Sequence, residues 1–224
     1  MIVGLIPARG GSKGIPRKNL RELHQKSLLQ RGIELLKSAG CDLVYVSTDD
    51  LEISNLARNW GAFVIERPEE LANDLAGTDP VLLHAVDKVE LKDDDILVLH
   101  QVTSPLLTVK SVGECIHTLF ENPSLNSVIT IRDFHPFMWK SEDSRNWDPV
   151  GHSRSHRPRR QDLGIQGCET GGCYAMRVSA LKQQEGRFPF PTGGAKVSFL
   201  ESLDIDTQQD LDMAEEIISG GYIN

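Results

Sequence analysis

Four cations crowd a glycine-broken stretch near the start of the chain: in LIPARGGSKGIPRKNL, residues 5–20, Arg9, Lys13, Arg17 and Lys18 stand among Gly10, Gly11 and Gly14. Glycines remove Cβ atoms, so backbone N–H groups can converge on phosphate oxygens, and Arg9 and Lys18 add charge-assisted hydrogen bonds. The chemistry that suits such a stretch is the holding of a triphosphate. No Gly-Lys-Ser/Thr closes the segment and it is not Gly-x-Gly-x-x-Gly, which weakens the ordinary kinase and dehydrogenase readings. A solvated turn with its lysines in water is the competing account of the same residues.

Near the other end, SLDIDT carries Asp204 and Asp206. Carboxylates one residue apart share a face of an extended segment, and both can meet one hard cation such as Mg²⁺, which completes its shell with phosphate oxygens. The same residues also suit a plain helix start with Asp206 or Thr207 as its N-cap. In HQVTSP, residues 100–105, Gln101, Thr103 and Ser104 offer groups for ribose or sugar hydroxyls, or alternatively turn chemistry ahead of Pro105. The cationic run HSRSHRPRRQD, residues 152–162, is either a clamp for an acidic sugar or RNA backbone, or a solvated face. The pattern of an RNA-binding sheet is missing, as are a Gly-x-Ser-x-Gly elbow and a cysteine–histidine signature for acyl transfer.

The elements that must position these groups follow from the whole chain. At 224 residues with 39% hydrophobic content it is long and apolar enough for one core, so a single domain over residues 1–224 is expected. A net charge of −8 argues against broad adhesion to nucleic acid while leaving room for a local basic pocket. No apolar run approaches the ~20 residues that cross a bilayer, and MIVGLIPARGG does not resemble an export signal, so no membrane partner and a cytoplasmic location are expected. The four cysteines, Cys41, Cys115, Cys168 and Cys173, read as reduced thiols.

IVGLIPA reads as a buried strand feeding the glycine-rich loop. KSLLQRGIELLKSAG, with apolar residues at helical spacing and a stop at Gly40, reads as a helix. DLVYVSTDD, DILVLHQ and NSVITI read as further strands; LEISNLARNWGA, VLLHAVDKVEL, VKSVGECIHTLFEN and DLDMAEEII read as helices. Strand and helix alternate, which predicts an α/β fold: a doubly wound, mainly parallel sheet of Rossmann-like type, with sites at the C-terminal ends of its strands. Arg9–Lys18, Ser47–Asp50 and His100–Ser104 then face one crevice. From residue 132 to 171 the alternation fails among Phe134, Phe137, Trp139, Trp147 and several prolines, and an arm is expected there.

IPARGGSKGIPRKNL, VSTDD, RPEELANDLAGT, QVTSP, RRQDL and SLDIDT occur in that order along nearly the whole chain. In these motifs the sequence resembles the CMP-sialic acid synthetases, cytidylyltransferases that activate nine-carbon acidic sugars; the Kdo-activating enzymes are less similar in the opening loop. The resemblance implies a nucleotidyltransferase fold binding CTP at the first loop, with 132–171 as a dimerisation arm in a homodimer. It further implies phosphate contacts at Arg9, Ser12 and Lys18, cytosine-end contacts at Asn19 and Arg67, and ribose-lining positions at Ala76 and Thr78. Gln101 and Arg160 would meet the sugar, with Tyr174 beside them, and Asp204 and Asp206 would be the magnesium pair.

The expected reaction is attack of the anomeric hydroxyl of a sialic, legionaminic or pseudaminic type of sugar on the α-phosphorus of CTP, releasing pyrophosphate. Arg9 and Lys18 would hold the departing group; either Asp206 or a metal-bound water is available to take the proton. A Kdo-type or other sugar nucleotidyltransferase of the same fold is the near alternative, and a noncatalytic nucleotide-binding module the distant one. Three departures from the family pattern fall mostly on the sugar side: Glu169–Tyr174 reads ETGGCY where many relatives have R-x-N-G-A-I-Y, Leu107 stands where an arginine is usual, and Met138 stands near a usual lysine.

Overall fold

A computed structural model describes residues 1–12, 14–73 and 75–223; Lys13, one of the loop's expected cations, lies outside the described residues, as does the side chain of Arg160. In chain order the elements are β1 (Ile2–Pro7), β2 (Glu22–Leu23), β3 (Lys26–Ser27), α1 (Leu28–Ser38), β4 (Leu43–Thr48), α2 (Leu51–Asn59), β5 (Phe63–Glu66), α3 (Thr78–Lys88) and β6 (Ile96–His100). They continue with α4 (Val109–Glu121), β7 (Ser127–Asp133), β8 (Met138–Lys140), β9 (Asp148–Val150), β10 (Gly167–Arg177), α5 (Val178–Gln184), β11 (Thr192–Lys196) and α6 (Gln208–Ser219).

Seven strands form one sheet in the order β11-β7-β10-β6-β1-β4-β5. β1 pairs in parallel with β4 and β6, β4 with β5, and β11 with β7. Only β10 runs against its neighbours β6 and β7. The expected doubly wound, mainly parallel sheet is what the chain forms. β6, Ile-Leu-Val-Leu-His, is buried at every position because helices cover both faces. Alternate strand residues supply the two cores: Ile6, Val46 and Val98 pack with α1, α2, α4 and α6, while Val3, Leu5, Leu97 and Leu99 pack with α3 and α5.

Side-chain caps place the helix starts beside the strand ends. The hydroxyls of Ser27 and Thr108 and the carboxylate of Asp50 accept N–H groups of Gln30, Ser111 and Ile53 at 3.1, 3.1 and 2.9 Å. Thr207 and Asp210 form a reciprocal capping box at α6. Of the two competing caps there, Thr207 takes the role, which leaves the Asp206 side chain out of the cap.

The aperiodic stretch is shorter at both ends than the sequence suggests. Residues 132–133 finish β7, and 167–171 open β10, a strand whose run of Thr, Gly, Gly and Cys carries no period-2 pattern. Between them lies a small hairpin of β8 and β9. The segment KVSFLESLDIDT contributes only Lys196 to β11 and is otherwise a turn-rich connection returning to the strand ends.

Candidate active site

β1 ends at Pro7, and the backbone then runs across the C-terminal edge of the sheet before a 3₁₀ turn at Lys18–Leu20. Several contacts give the loop its shape. The Gly10 N–H donates to Asp49 Oδ1 at 3.0 Å, and the Asn19 amide donates to the Arg9 carbonyl at 2.9 Å. Arg17, in the left-handed region at φ 57°, turns back to form ion pairs with Asp50 and Glu52. Thus the acidic end of VSTDD holds the loop in place, and Arg17 is a latch rather than a phosphate ligand.

The far end of the chain closes the same site. Lys18 Nζ donates to the Ile205 carbonyl at 2.8 Å and to Asp206 Oδ1 at 3.0 Å, joining residues that are 187 and 188 positions apart. Gly14 lies so close to this segment that a Cβ would sit 2.4 Å from the Asp206 carbonyl oxygen, which is why only glycine fits there. The Ile205 N–H in turn donates to the Thr103 carbonyl at 2.7 Å, tying the acidic segment to the turn after β6.

The result is a cleft of about 390 Å³ at the strand ends. Arg9, Ser12, Lys18, Asn19, Arg67, Ala76, Thr78, Gln101 and Asp206 all line it, so nine of the expected residues meet in one place. Asp204 is not among the lining residues, but it hydrogen-bonds with Thr103, which is, and it feels the charges of Asp206 and Lys18. Tyr174 departs from expectation: it is 1% exposed, packs on the α3–α5 side of the sheet, and gives its hydroxyl to Glu169 instead of the cleft. It stands opposite Leu99 in the β6–β10 ladder, on the face that packs with α3 and α5.

Two side chains that the sequence reading did not single out complete the site. Asn73 accepts from Arg9 Nη1 through its carbonyl at 2.8 Å, and its Oδ1 takes the N–H groups of Leu75 and Ala76 at 2.8 and 3.0 Å, folding the wall that carries Ala76. Asp49 anchors Gly10. Both lie inside quoted motifs, RPEELANDLAGT and VSTDD, and an asparagine or aspartate at the head of a tight turn was the available signal.

Electrostatics separate the cations from the acids. Burial pulls the Arg67 guanidinium down to about 10, with Asp49 pulling it back up and Arg9 adding to the drop; it remains charged at neutral pH. Its Nε and Nη2 grip the Ser47 hydroxyl and carbonyl at 3.1 and 2.6 Å, which fixes the guanidinium at the cleft wall. Asp204 is raised above the ordinary carboxylate range by desolvation first; the Thr103 bond opposes this, and the like charge of Asp206 adds to it. Asp204 is nevertheless exposed, so solvent reaches its carboxylate.

Comparison with known proteins fits this geometry. The profile of the cytidylyltransferase family matches residues 3–220. The chain is 31% identical over 205 residues to the pseudaminic acid cytidylyltransferase and UDP-2,4-diacetamido-2,4,6-trideoxy-beta-L-altropyranose hydrolase of Helicobacter pylori, covering 91% of this chain and 40% of that protein. It is 31% identical over 231 residues to N-acylneuraminate cytidylyltransferase A of Danio rerio, covering 99% of this chain and 52% of that one. The chain therefore spans about half the length, or less, of these curated relatives. Among solved structures, a CMP:2-keto-3-deoxy-manno-octonic acid synthetase complexed with CTP shares the fold at a TM-score of 0.70 and 21% identity, over 98% of this chain and 99% of that one. A 4-diphosphocytidyl-2C-methyl-D-erythritol synthase does so at 0.71 and 12%, over 97% and 98%. With a cation-lined cleft at the expected strand ends and a family profile that spans almost every residue, the chain belongs to the cytidylyltransferase family.

Proposed function

We propose that this chain transfers CMP from CTP to the anomeric hydroxyl of a nine-carbon acidic sugar of the sialic, legionaminic or pseudaminic type, releasing pyrophosphate. The observation that carries the reading is the meeting of Arg9, Lys18 and Asp206 in one cleft, with Lys18 bonded to Asp206 across the length of the chain. Arg9, whose guanidinium bonds to Asn73, and Lys18, presented by the 3₁₀ turn, would hold the β- and γ-phosphates that leave as pyrophosphate. Glycines 11 and 14 keep the loop's backbone accessible to the same oxygens. Arg67 and Asn19 line the cleft where a cytosine would rest, and Ala76 and Thr78 where a ribose would rest. Positioning and charge neutralisation are what phosphoryl transfer chiefly requires of a protein, and these residues supply both.

The acidic pair suits Mg²⁺. Desolvation first, and then the like charge of Asp206, raise the pKa of Asp204, and a hard cation would offset that charge. Among the described residues no group of three or more His, Cys, Asp or Glu is set to hold a metal, so a cation here would share its shell with phosphate oxygens, as Mg²⁺ commonly does. Asp204 and Asp206 would hold it, and when bound it would neutralise charge on the α-phosphate. Gln101 is assigned to the acceptor sugar. The exposed Met138, Trp139 and Trp147 in 134–166 support the arm as a homodimer contact, since such residues are a liability on a lone chain. Among the described residues no helix is long and apolar enough to cross a membrane, and cytoplasmic action is part of this reading.

The test is incubation with CTP, Mg²⁺ and a panel of nonulosonic acids plus Kdo, read by mass spectrometry for the CMP-sugar and by pyrophosphate release. A CMP-nonulosonate is the expected product. Formation of CMP-Kdo alone would transfer the assignment to the Kdo-type alternative, and protection of CTP with no pyrophosphate released would identify a binding module.

A further inference from the structure

β10 does not lie flat between its neighbours. Its register against β7 jumps from Glu169↔Ile131 to Tyr174↔Ile129, so Thr170–Gly172 arch away from β7 at the C-terminal edge of the sheet while Cys173 stays opposite His100 of β6. On one side Thr130 secures the arch: its hydroxyl accepts from Thr170 Oγ1 at 2.7 Å and from the Cys173 N–H at 3.1 Å. On the other side a single oxygen does the work. The Gly172 carbonyl takes the Gln101 N–H at 3.1 Å and faces His100 Nδ1 at 2.9 Å.

We propose that His100 is the positioning residue for the acceptor side of the cleft, holding Gly172 and Gln101 in register through their shared carbonyl. The proposal rests on the reading of Gln101 as the sugar-facing residue, and His100 itself touches no substrate. A carbonyl oxygen can only accept, so Nδ1 carries the hydrogen and Nε2 the lone pair. The two lone pairs of Gly172 are thereby both used by consecutive residues at the end of β6. Without the imidazole, the Gly172 carbonyl would be held on this side by the Gln101 N–H alone, next to Gly171, which sits at φ 76° with nothing within 4 Å of its Cβ position.

The ring has little freedom of its own. His100 is 1% exposed, and Gly32 of α1 packs so closely that a Cβ there would meet His100 Cδ2 at 3.0 Å, His100 Nε2 at 3.3 Å and Val102 Cγ1 at 2.8 Å. Gly172 is equally confined: a Cβ would meet Leu107 Cδ1 at 2.5 Å and Ser104 Cβ at 3.1 Å. Burial lowers the imidazole to about 4 despite the Gly172 bond, so it stays neutral throughout the working range. A rigid helix therefore backs the ring, the ring holds the carbonyl, and the carbonyl aligns Gln101.

The test compares His100→Asn, whose amide N–H reaches the position of Nδ1, with His100→Leu, which has no donor. For His100→Leu we expect KM for the acceptor sugar to rise about tenfold with KM for CTP within about twofold of the parent, and for His100→Asn we expect a rise below about threefold. A folded His100→Leu with unchanged sugar KM, or one in which both KM values rise equally, overturns the proposal. Should His100→Leu fail to fold, ¹⁵N-histidine NMR of the parent decides: the neutral Nδ1–H tautomer at pH 7 supports the pin and the Nε2–H tautomer overturns it. If no nonulosonic acid is turned over, the functional reading fails by itself. The pin is then judged by whether the Gln101 amide resonance moves more in His100→Leu than in His100→Asn, and equal or absent movement overturns it.

Discussion

Gly14→Ala is the most direct probe of the contact that joins the two ends of the chain. The added Cβ would lie 2.4 Å from the Asp206 carbonyl oxygen, and side-chain carbons essentially never come within 3.0 Å of such an atom. The neighbour is backbone, so it cannot swing aside; the loop and the acidic segment must part by about 0.6 Å, and by about 1 Å to reach ordinary contact. Lys18 Nζ spans that same gap with bonds of 2.8 and 3.0 Å, so the separation displaces Lys18 from Asp206 and widens the cleft. A misplacement on the order of 1 Å at a reacting centre costs about a hundredfold in rate, and overpacking of this kind costs about 1–3 kcal/mol of stability. Gly113→Ala, in α4 and away from the cleft, is the internal control, because nothing lies within 4 Å of its Cβ position. Steady-state pyrophosphate release against CTP concentration, with a thermal melt of each variant, makes the comparison. Gly14→Ala should lose about a hundredfold in kcat/KM while Gly113→Ala stays within about threefold. Equal, near-parental activity in both would show that the proximity of loop and Asp206 has no bearing on turnover.

Lys18→Met removes the cation while keeping the length of the side chain, and should lower kcat by about 10²–10³, the usual cost of deleting one charge-stabilising donor; a change below about fivefold would place Lys18 outside the reaction. Asp204→Asn should raise the ligand-free melting temperature at neutral pH while abolishing activity. The sign follows from the raised folded-state pKa: the native protein holds that proton more tightly, so ionisation as pH climbs through the shifted range costs stability that the amide does not lose. A lower melting temperature at pH 7 would contradict it. His100 has the opposite slope, since its folded value near 4 lies below the ordinary 6.5 and stability is lost as pH falls through that window. Urea melts from pH 7 to 4.5 should show His100→Asn losing stability less steeply than the parent, by up to about 1.4 kcal/mol per pH unit; parallel curves would refute the shift.

Much of this molecule can be read from its residues alone. Near-continuous Val/Ile/Leu strands separated by capped amphipathic helices determine a parallel α/β sheet, since only a sheet covered on both faces accommodates strands like Ile96–His100. The cationic loop after β1 follows from local composition, because the charges of Arg9 and Lys18 are intrinsic to those residues, whereas the need for glycine at position 14 comes from its approach to the Asp206 carbonyl. β10 is another matter. Its Thr170–Cys173 stretch has neither alternation nor β-branched density, and it becomes a central strand only because β6 and β7 leave a slot for it and Thr130, His100 and Gln101 satisfy its backbone. Tyr174 is buried for the same reason.

Local sequence likewise could not settle whether Asp206 caps a helix or faces a ligand; both are compatible with SLDIDT. Thr207 takes the cap, and Lys18, almost the whole chain away, takes Asp206. Patterns of period two and 3.6 specify elements because they reflect burial on one face. Which charged side chains meet depends on how those elements cross in space, and for this protein that was decided by the return of residues 197–206 over the ends of β1 and β6.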